Sequence, residues 1–385
     1  KGVAASTAAL TINNTDGTCT ANLTNRTNKN LIINGAMQVA QRSTSTTAAN
    51  GYNHLDRFAT ISSGLDEATT KSQADVSSGT TPYTLGFRKS LKIQNGNQTS
   101  GAGASDYVSI RYRLEAQDVA QSGWNYTSSS SFITLSFWVK SSVAQNFYGR
   151  LLTDDGSVYS YPFETGSLSA DTWTKITKTI PGNSNLTINN DNGTGLQLHI
   201  TQFWGTNYTN NSVSLNQWGA YDGNARVPNY TSTWFTTNDA TFEITGVQLE
   251  VGSVATDFEH RSFGHEIALC ERYCQAVLDG SDANNSGQHD IVGHTYTANN
   301  IFLIPQTRTK MRAAPSIFTK TGAFYYNAFK QGSSVYFDSI GLDRSSTNSA
   351  TITVTTPSGG SIAQGLPCFV RTNNSNAKIL LTAEL

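Results

Sequence analysis

Residues 202–235, QFWGTNYTNNSVSLNQWGAYDGNARVPNYTSTWF, interleave Trp204, Tyr208, Trp218, Tyr221, Tyr230 and Trp234 with Asn, Gln and Asp. An aromatic face offers apolar area to the C–H face of a pyranose, and nearby amides bond its hydroxyls, so this mixture is the chemistry of sugar recognition. A second cluster, GAFYYNAFKQGSS (322–334), holds Phe324, Tyr325, Tyr326 and Phe329. The candidate glycan-binding residues are Trp204, Tyr208, Trp218, Tyr221, Tyr325 and Tyr326. A structural alternative stands beside each. Trp204 and Trp234 suit the closed edge of a sandwich or a subunit interface, and consecutive aromatics can be the two faces of one strand.

The stretch ATDFEHRSFGHEIALCERYCQ (255–275) offers His260, His265, Glu266, Cys270 and Cys274, but not at a zinc-binding spacing. Phe263, Ile267, Cys270 and Cys274 recur at helical period, with Ser262 as N-cap. That spacing sends His265 and Glu266 outward and both cysteines inward. Asp154, Asp155, Glu164 and Asp171 are the carboxylates available for glycosidic hydrolysis. Asp154-Asp155-Gly156 reads more simply as a hairpin turn, and no nucleophile elbow accompanies it.

These residues need elements to hold them. A chain of 385 residues is long for one core and suggests two or three domains. Net charge is −1 and 14% of residues are charged, against an ordinary quarter, so neither a nucleic-acid-binding stripe nor an acidic tail is present. No apolar run approaches the roughly 18–20 residues of a membrane span, so no membrane insertion is expected. The opening KGVAASTAALTINN lacks the pattern of a signal peptide. Cys19, Cys270, Cys274 and Cys368 lie too far apart for a disulfide scaffold and read as free thiols.

Period-2 alternation marks strands at 108–116, 132–141, 146–154, 172–180, 196–204 and 241–251. In TFEITGVQLEV the apolar phase slips by one residue at Gly246, the signature of a β-bulge. The predicted fold is all-β: residues 1–30 a stalk or linker, 31–260 an antiparallel jelly-roll sandwich, 261–284 a linking helix and loop, and 285–385 a smaller C-terminal β-sandwich.

The succession LIINGAMQVAQRS, YNHLDRFA, ITLSFWVKS, TWTKITKTI, GVQLEVGSVATDFEHRSFGHEIALCERYCQ, RTKMRAAPSI and LTAEL resembles bacteriophage tail-fibre or receptor-binding proteins. Their central domain is similar to jelly-roll carbohydrate-binding modules. The resemblance spans residues 31–385 and implies a homotrimeric fibre on the virion, made in the host cytoplasm, contacting other tail or head proteins and a host-surface glycan or protein receptor. Modules of this type often hold a structural calcium, for which Asp56, Glu243 and Asp257 are the oxygen donors available, though turn bonds or salt bridges suit them equally. Polysaccharide-degrading fibres need a long repetitive β-helix, and no such repeat occurs here, so the expectation is a non-enzymatic protein. Two alternatives remain: a head or baseplate decoration fibre that stabilises the particle, and a secreted bacterial glycan-binding module.

Overall fold

Alternation decides the first domain. In Tyr107–Glu115 the side chains of Val108, Ile110, Tyr112 and Leu114 enter the core, which leaves Ser109, Arg111 and Arg113 on the opposite face. The same holds for Ile133, Leu135, Phe137 and Val139 of Phe132–Ser141. A computed structural model of the chain describes residues 10–12, 19–21, 28–282, 288–330, 333–356 and 364–385. Most of the expected stalk, 1–30, lies outside the described residues; within it, Leu10–Ile12 pairs antiparallel with Cys19–Ala21.

Two antiparallel sheets close over one core. The front sheet runs Gly219–Ala220, Tyr159–Ser167, Asn146–Thr153, Thr194–Trp204, Tyr107–Glu115, Phe58–Ser63, Asn50–Gly51. The back sheet runs Thr174–Pro181, Phe132–Ser141, Thr241–Val251, Lys89–Gln94, Thr70–Asp75, Ser45–Thr46. Because the chain passes repeatedly from one sheet to the other, neighbours within a sheet are mostly distant in sequence, as a jelly roll requires. The bulge lies where the sequence put it. Pairing of Thr241–Val251 with Phe132–Ser141 shifts between Thr245 and Gln248, and Gly246 takes φ +63°.

The second domain has its own core around Ile301, Tyr326, Ile352, Val370 and Ile379. Its seven-stranded sheet is ordered Ser333–Phe337, Tyr326–Lys330, Pro367–Thr372, Asp290–Thr295, Asn300–Leu303, Ala350–Thr355, Ser339–Ser345. A three-stranded sheet places Lys378–Thr382 between Cys274–Asp279 and Ser316–Lys320. The segment 261–284 therefore contains a strand of the second domain as well as a helix.

The helix spans Phe263–Glu271, and the Ser262 hydroxyl accepts from the His265 amide at 3.3 Å. Its buried face differs from the expected one. Phe263 is exposed, Cys274 begins the next strand, and Glu266 is buried, accepting from the Asn34 amide and from Arg261. The helix lies over a polar junction, so its inward positions favour carboxylates over apolar groups. That junction ties the domains together. Glu384 accepts from Arg42 (3.2 Å) and Arg57, Arg272 Nε reaches Glu115 at 2.6 Å, and Lys378 Nζ bonds the Gln41 carbonyl at 2.7 Å and Asp279 at 2.8 Å.

Candidate functional site

A second register shift shapes the outer face of the front sheet. Between Thr201 and Phe203 the pairing with Tyr107–Glu115 slips, so that Phe203 enters the core while Trp204 turns outward. On this face Arg150 and Arg111 lie directly across from His199 on its two neighbouring strands. The loop 205–230 returns over these residues. It sets Arg226 4.4 Å from the Tyr208 ring and 5.4 Å from Trp204, while Arg150 lies 4.9 Å from Trp204 and 5.0 Å from Tyr221.

Three of the sequence-nominated aromatics, Trp204, Tyr208 and Tyr221, thus converge on two guanidinium groups. Trp204 is only 1% exposed, so it presents no open face to a sugar. Arg150 and Arg226 cover it, and its role is to floor a cationic cluster. Trp218 lies apart at the sandwich edge, edge-to-face with Tyr161 and donating its indole N–H to the Pro181 carbonyl at 2.7 Å. Tyr325 is half-buried, and Tyr326 is fully buried in the second domain, its hydroxyl proton shared between the carbonyls of Lys320 (2.7 Å) and Lys378 (2.8 Å). As adjacent residues entering a strand, the two tyrosines face opposite ways, which removes Tyr326 from any binding surface.

Charge in the front cluster is poorly compensated. Burial pulls the Arg150 pKa down to about 10, with Arg226 acting in the same direction and only Tyr221 opposing it. Burial likewise holds His199 well below its ordinary range, reinforced by Arg150, Arg111, Arg226 and Arg113. His199 is therefore neutral at physiological pH.

The proposed calcium donors occupy three different places. Asp56 is fully buried at the domain junction, accepting from the Gln41 amide (3.0 Å) and Nε2 (2.5 Å), with Arg42 at 3.8 Å. Burial raises it to about 6. Glu243 pairs with Lys140 at 2.9 Å and accepts from Ser90 at 2.9 Å. Asp257 is exposed, and its carbonyl accepts from Lys29 at 2.6 Å. The triad is not a site, and no group of three His, Cys, Asp or Glu among the described residues is positioned to hold a metal. The carboxylates considered for hydrolysis are also taken up separately: Asp154 by Gln197 (2.9 Å), Asp155 by Asn189 (2.8 Å) and Glu164 by Asn146 (2.8 Å).

The outer face of the back sheet holds a cleft that was not nominated from sequence. Trp138 and Lys175 are cross-strand partners, and the Gly246 bulge lies beside Trp138. Phe87, Phe258 and His260 form a three-way ring cluster with centroids 4.9–5.1 Å apart. His260 Nε2 meets the Leu85 carbonyl oxygen at 2.8 Å and fastens that wall. Together with Ser136, Thr256 and Asp257 these residues enclose about 480 Å³. Trp138 is half-buried, and Lys175 and Asp257 stand exposed at the rim. An aromatic floor under hydroxyl and charged rims can hold one or two sugar rings.

The signal for this cleft lies scattered in the sequence. Alternation in FITLSFWVKS put Trp138 opposite the core, and the apolar slip marked Gly246. Only pairing brings these to Phe87 and Phe258.

A scan against protein-family models finds no match, and a search of curated proteins finds none. Among solved structures, the chain is similar to the enzymatically active domain of bacteriophage CBA120 tailspike protein 4, at 9% identity and TM-score 0.31, covering 58% of this chain and 21% of that one. It is similar to the family 11 carbohydrate-binding module of Clostridium thermocellum in complex with a mixed-linked tetrasaccharide, at 13% identity and TM-score 0.23, covering 55% and 99%. It is also similar to an N-terminal tandem CBM22 domain from Paenibacillus barcinonensis, at 10% identity and TM-score 0.26, covering 85% and 93%. The chain spans about a fifth of the tailspike chain it matches. Similarities this distant carry neither a binding partner nor an activity to this chain.

Proposed function

We propose that this chain is a phage virion fibre protein that binds a host-surface glycan during adsorption, without catalysis, and that the back-sheet cleft is its sugar contact. The observation that carries this reading is the open cleft lined by Trp138, Phe258, Lys175 and Asp257. It pairs an apolar ring face with flexible polar rims, and it remains accessible while Trp204 is covered. Tail or head proteins and a host receptor are the partners on this reading, and the virion is its location.

The test is titration of the full chain against a panel of host-envelope oligosaccharides, followed by tryptophan fluorescence. Trp138→Ala is expected to weaken the bound glycan on the order of tenfold or more while the main core stays folded, because Trp138 packs against the smaller cluster of Ala36, Val76 and Phe87. Equal binding by Trp138→Ala and wild type would remove the cleft from the proposal.

A structural fibre role is the second reading, favoured by the outer face of the C-terminal sheet. There Phe329 stacks on Phe369 at 4.9 Å, and Val292 and Phe369 are exposed neighbours across the ladder. A homotrimer that covers this face would show three chain masses by light scattering, and Phe369→Glu would shift it toward monomer. A monomeric wild type would end both the trimer and this second reading.

A further inference from the structure

We propose that the cationic cluster beneath loop 205–230 is an oxyanion site that receives the carboxylate or sulfate substituent of an acidic saccharide. The inference rests on the glycan-binding reading and adds a second contact, on the opposite sheet from the cleft.

Arg150 is 2% exposed, and its Nε and Nη1 have no hydrogen-bond partner among the described residues. His199 Nδ1, Ser160 Oγ and Trp204 Nε1 are also buried and unpartnered there. Their placement is not scattered. Arg150 lies across from His199, Ser160 is two residues along the ladder across from Leu152, and Trp204 lies against the Arg150 guanidinium. A folded chain rarely leaves several neighbouring donors buried without acceptors, and a buried guanidinium whose charge only the Tyr221 side chain offsets is stabilised further when an anion meets it.

The carboxylates nearby do not supply that anion. Asp154 is bound by Gln197 and favours the charged form of Arg111, not Arg150. Glu164 is bound by Asn146, and Asp222 Oδ1 accepts from the Asn224 amide at 2.8 Å. On the loop side a cleft of about 270 Å³ has Ser160, Pro162, Asp222 and Arg226 in its wall, so Ser160 and Arg226 are the donors an entering anion meets, with Arg150 behind them as the cross-strand partner of Pro162. Arg226 is half-buried at this mouth, with Nε donating to the Gly223 carbonyl at 2.8 Å. Two planar guanidiniums with an indole N–H and a hydroxyl match the acceptor geometry of an oxyanion.

The experiment is calorimetric titration of the full chain with glucose, glucuronate and glucose 6-sulfate at fixed ionic strength. Saturable binding of either charged sugar and none of glucose supports the site, and the one that binds distinguishes carboxylate from sulfate. Arg226→Gln, at the mouth and outside the core, is expected to weaken that binding on the order of tenfold; Arg150→Gln should abolish it if the variant folds. Equal affinity for glucose and its charged derivatives, no binding of any of them, or charged-sugar binding that survives Arg226→Gln overturns the proposal. Trp138-dependent binding of neutral oligosaccharides is measured separately, so failure of the oxyanion site and failure of the cleft are told apart.

Discussion

Removing the negative charge of Glu384 should loosen the joint between the two domains. Its side chain is 7% exposed and is shared by Arg42 and Arg57, whose side chains are 2% and 1% exposed. Glu384→Gln keeps the shape but leaves two buried cations short of a counter-charge, and breaking one side of a buried ion pair costs roughly 3–5 kcal/mol. Compensation remains on both sides. Arg42 still faces Asp56 at 3.8 Å and bonds Thr382 at 2.6 Å, while Arg57 bonds the Arg113 carbonyl at 2.6 Å and lies 3.4 Å from the Tyr273 ring. The lower end, about 3 kcal/mol, is therefore expected. Urea unfolding of wild type and variant measures it, and a double-mutant cycle with Arg57→Met isolates the pair. Because the network bridges two cores, the variant should also separate one transition into two. A loss below about 1 kcal/mol, with cooperativity unchanged, would show that solvent already screens these charges and that the joint does not depend on them.

Acid should destabilise the first domain through its buried histidines. Burial lowers His54 to about 3 and His199 well below its ordinary value, so both stay neutral when folded and gain a proton only on unfolding. Their contribution is full above about pH 6.5 and is lost as pH falls, by about 2 kcal/mol for His54 at pH 5. Asp56, raised to about 6 by burial, acts oppositely and gains stability between about pH 6 and pH 4. Urea midpoints at pH 7 and pH 5 should therefore fall for wild type and fall less for His54→Gln; an equal fall in both refutes the assignment to His54. Gly246→Ala adds a methyl at φ +63° whose position lies 2.6 Å from Phe87 Cζ. It should cost about 1–3 kcal/mol in a thermal melt and impair glycan binding at the cleft, and an unchanged melting temperature would show that the bulge tolerates a side chain.

Much of the architecture was legible because strand alternation is a local property. Phe132–Ser141 and Thr241–Val251 match their predicted bounds, and the slip at Gly246 is a bulge. The hairpin at Asp154-Asp155-Gly156 joins Asn146–Thr153 to Tyr159–Ser167, with Gly156 at φ +59°. The Ser262 cap was also legible, since capping depends on residues only three apart. The buried face of the helix was not, because Glu266 is drawn inward by the Asn34 amide, 232 residues away in the chain.

Sequence by itself determined that this protein is all-β, where its main strands run, and which aromatic and amide residues a sugar site would draw upon. Tertiary structure alone decided which aromatics remain accessible. Trp204 and Trp138 both point outward from their sheets, yet loop 205–230 and two arginines cover the first while the second floors an open cleft. Period-2 alternation fixes the side of a sheet on which a side chain stands, whereas what covers it depends on segments far away in the chain. The same reason separates Asp56, Glu243 and Asp257, three carboxylates of equal promise in the sequence that pairing and burial sent to different parts of the molecule.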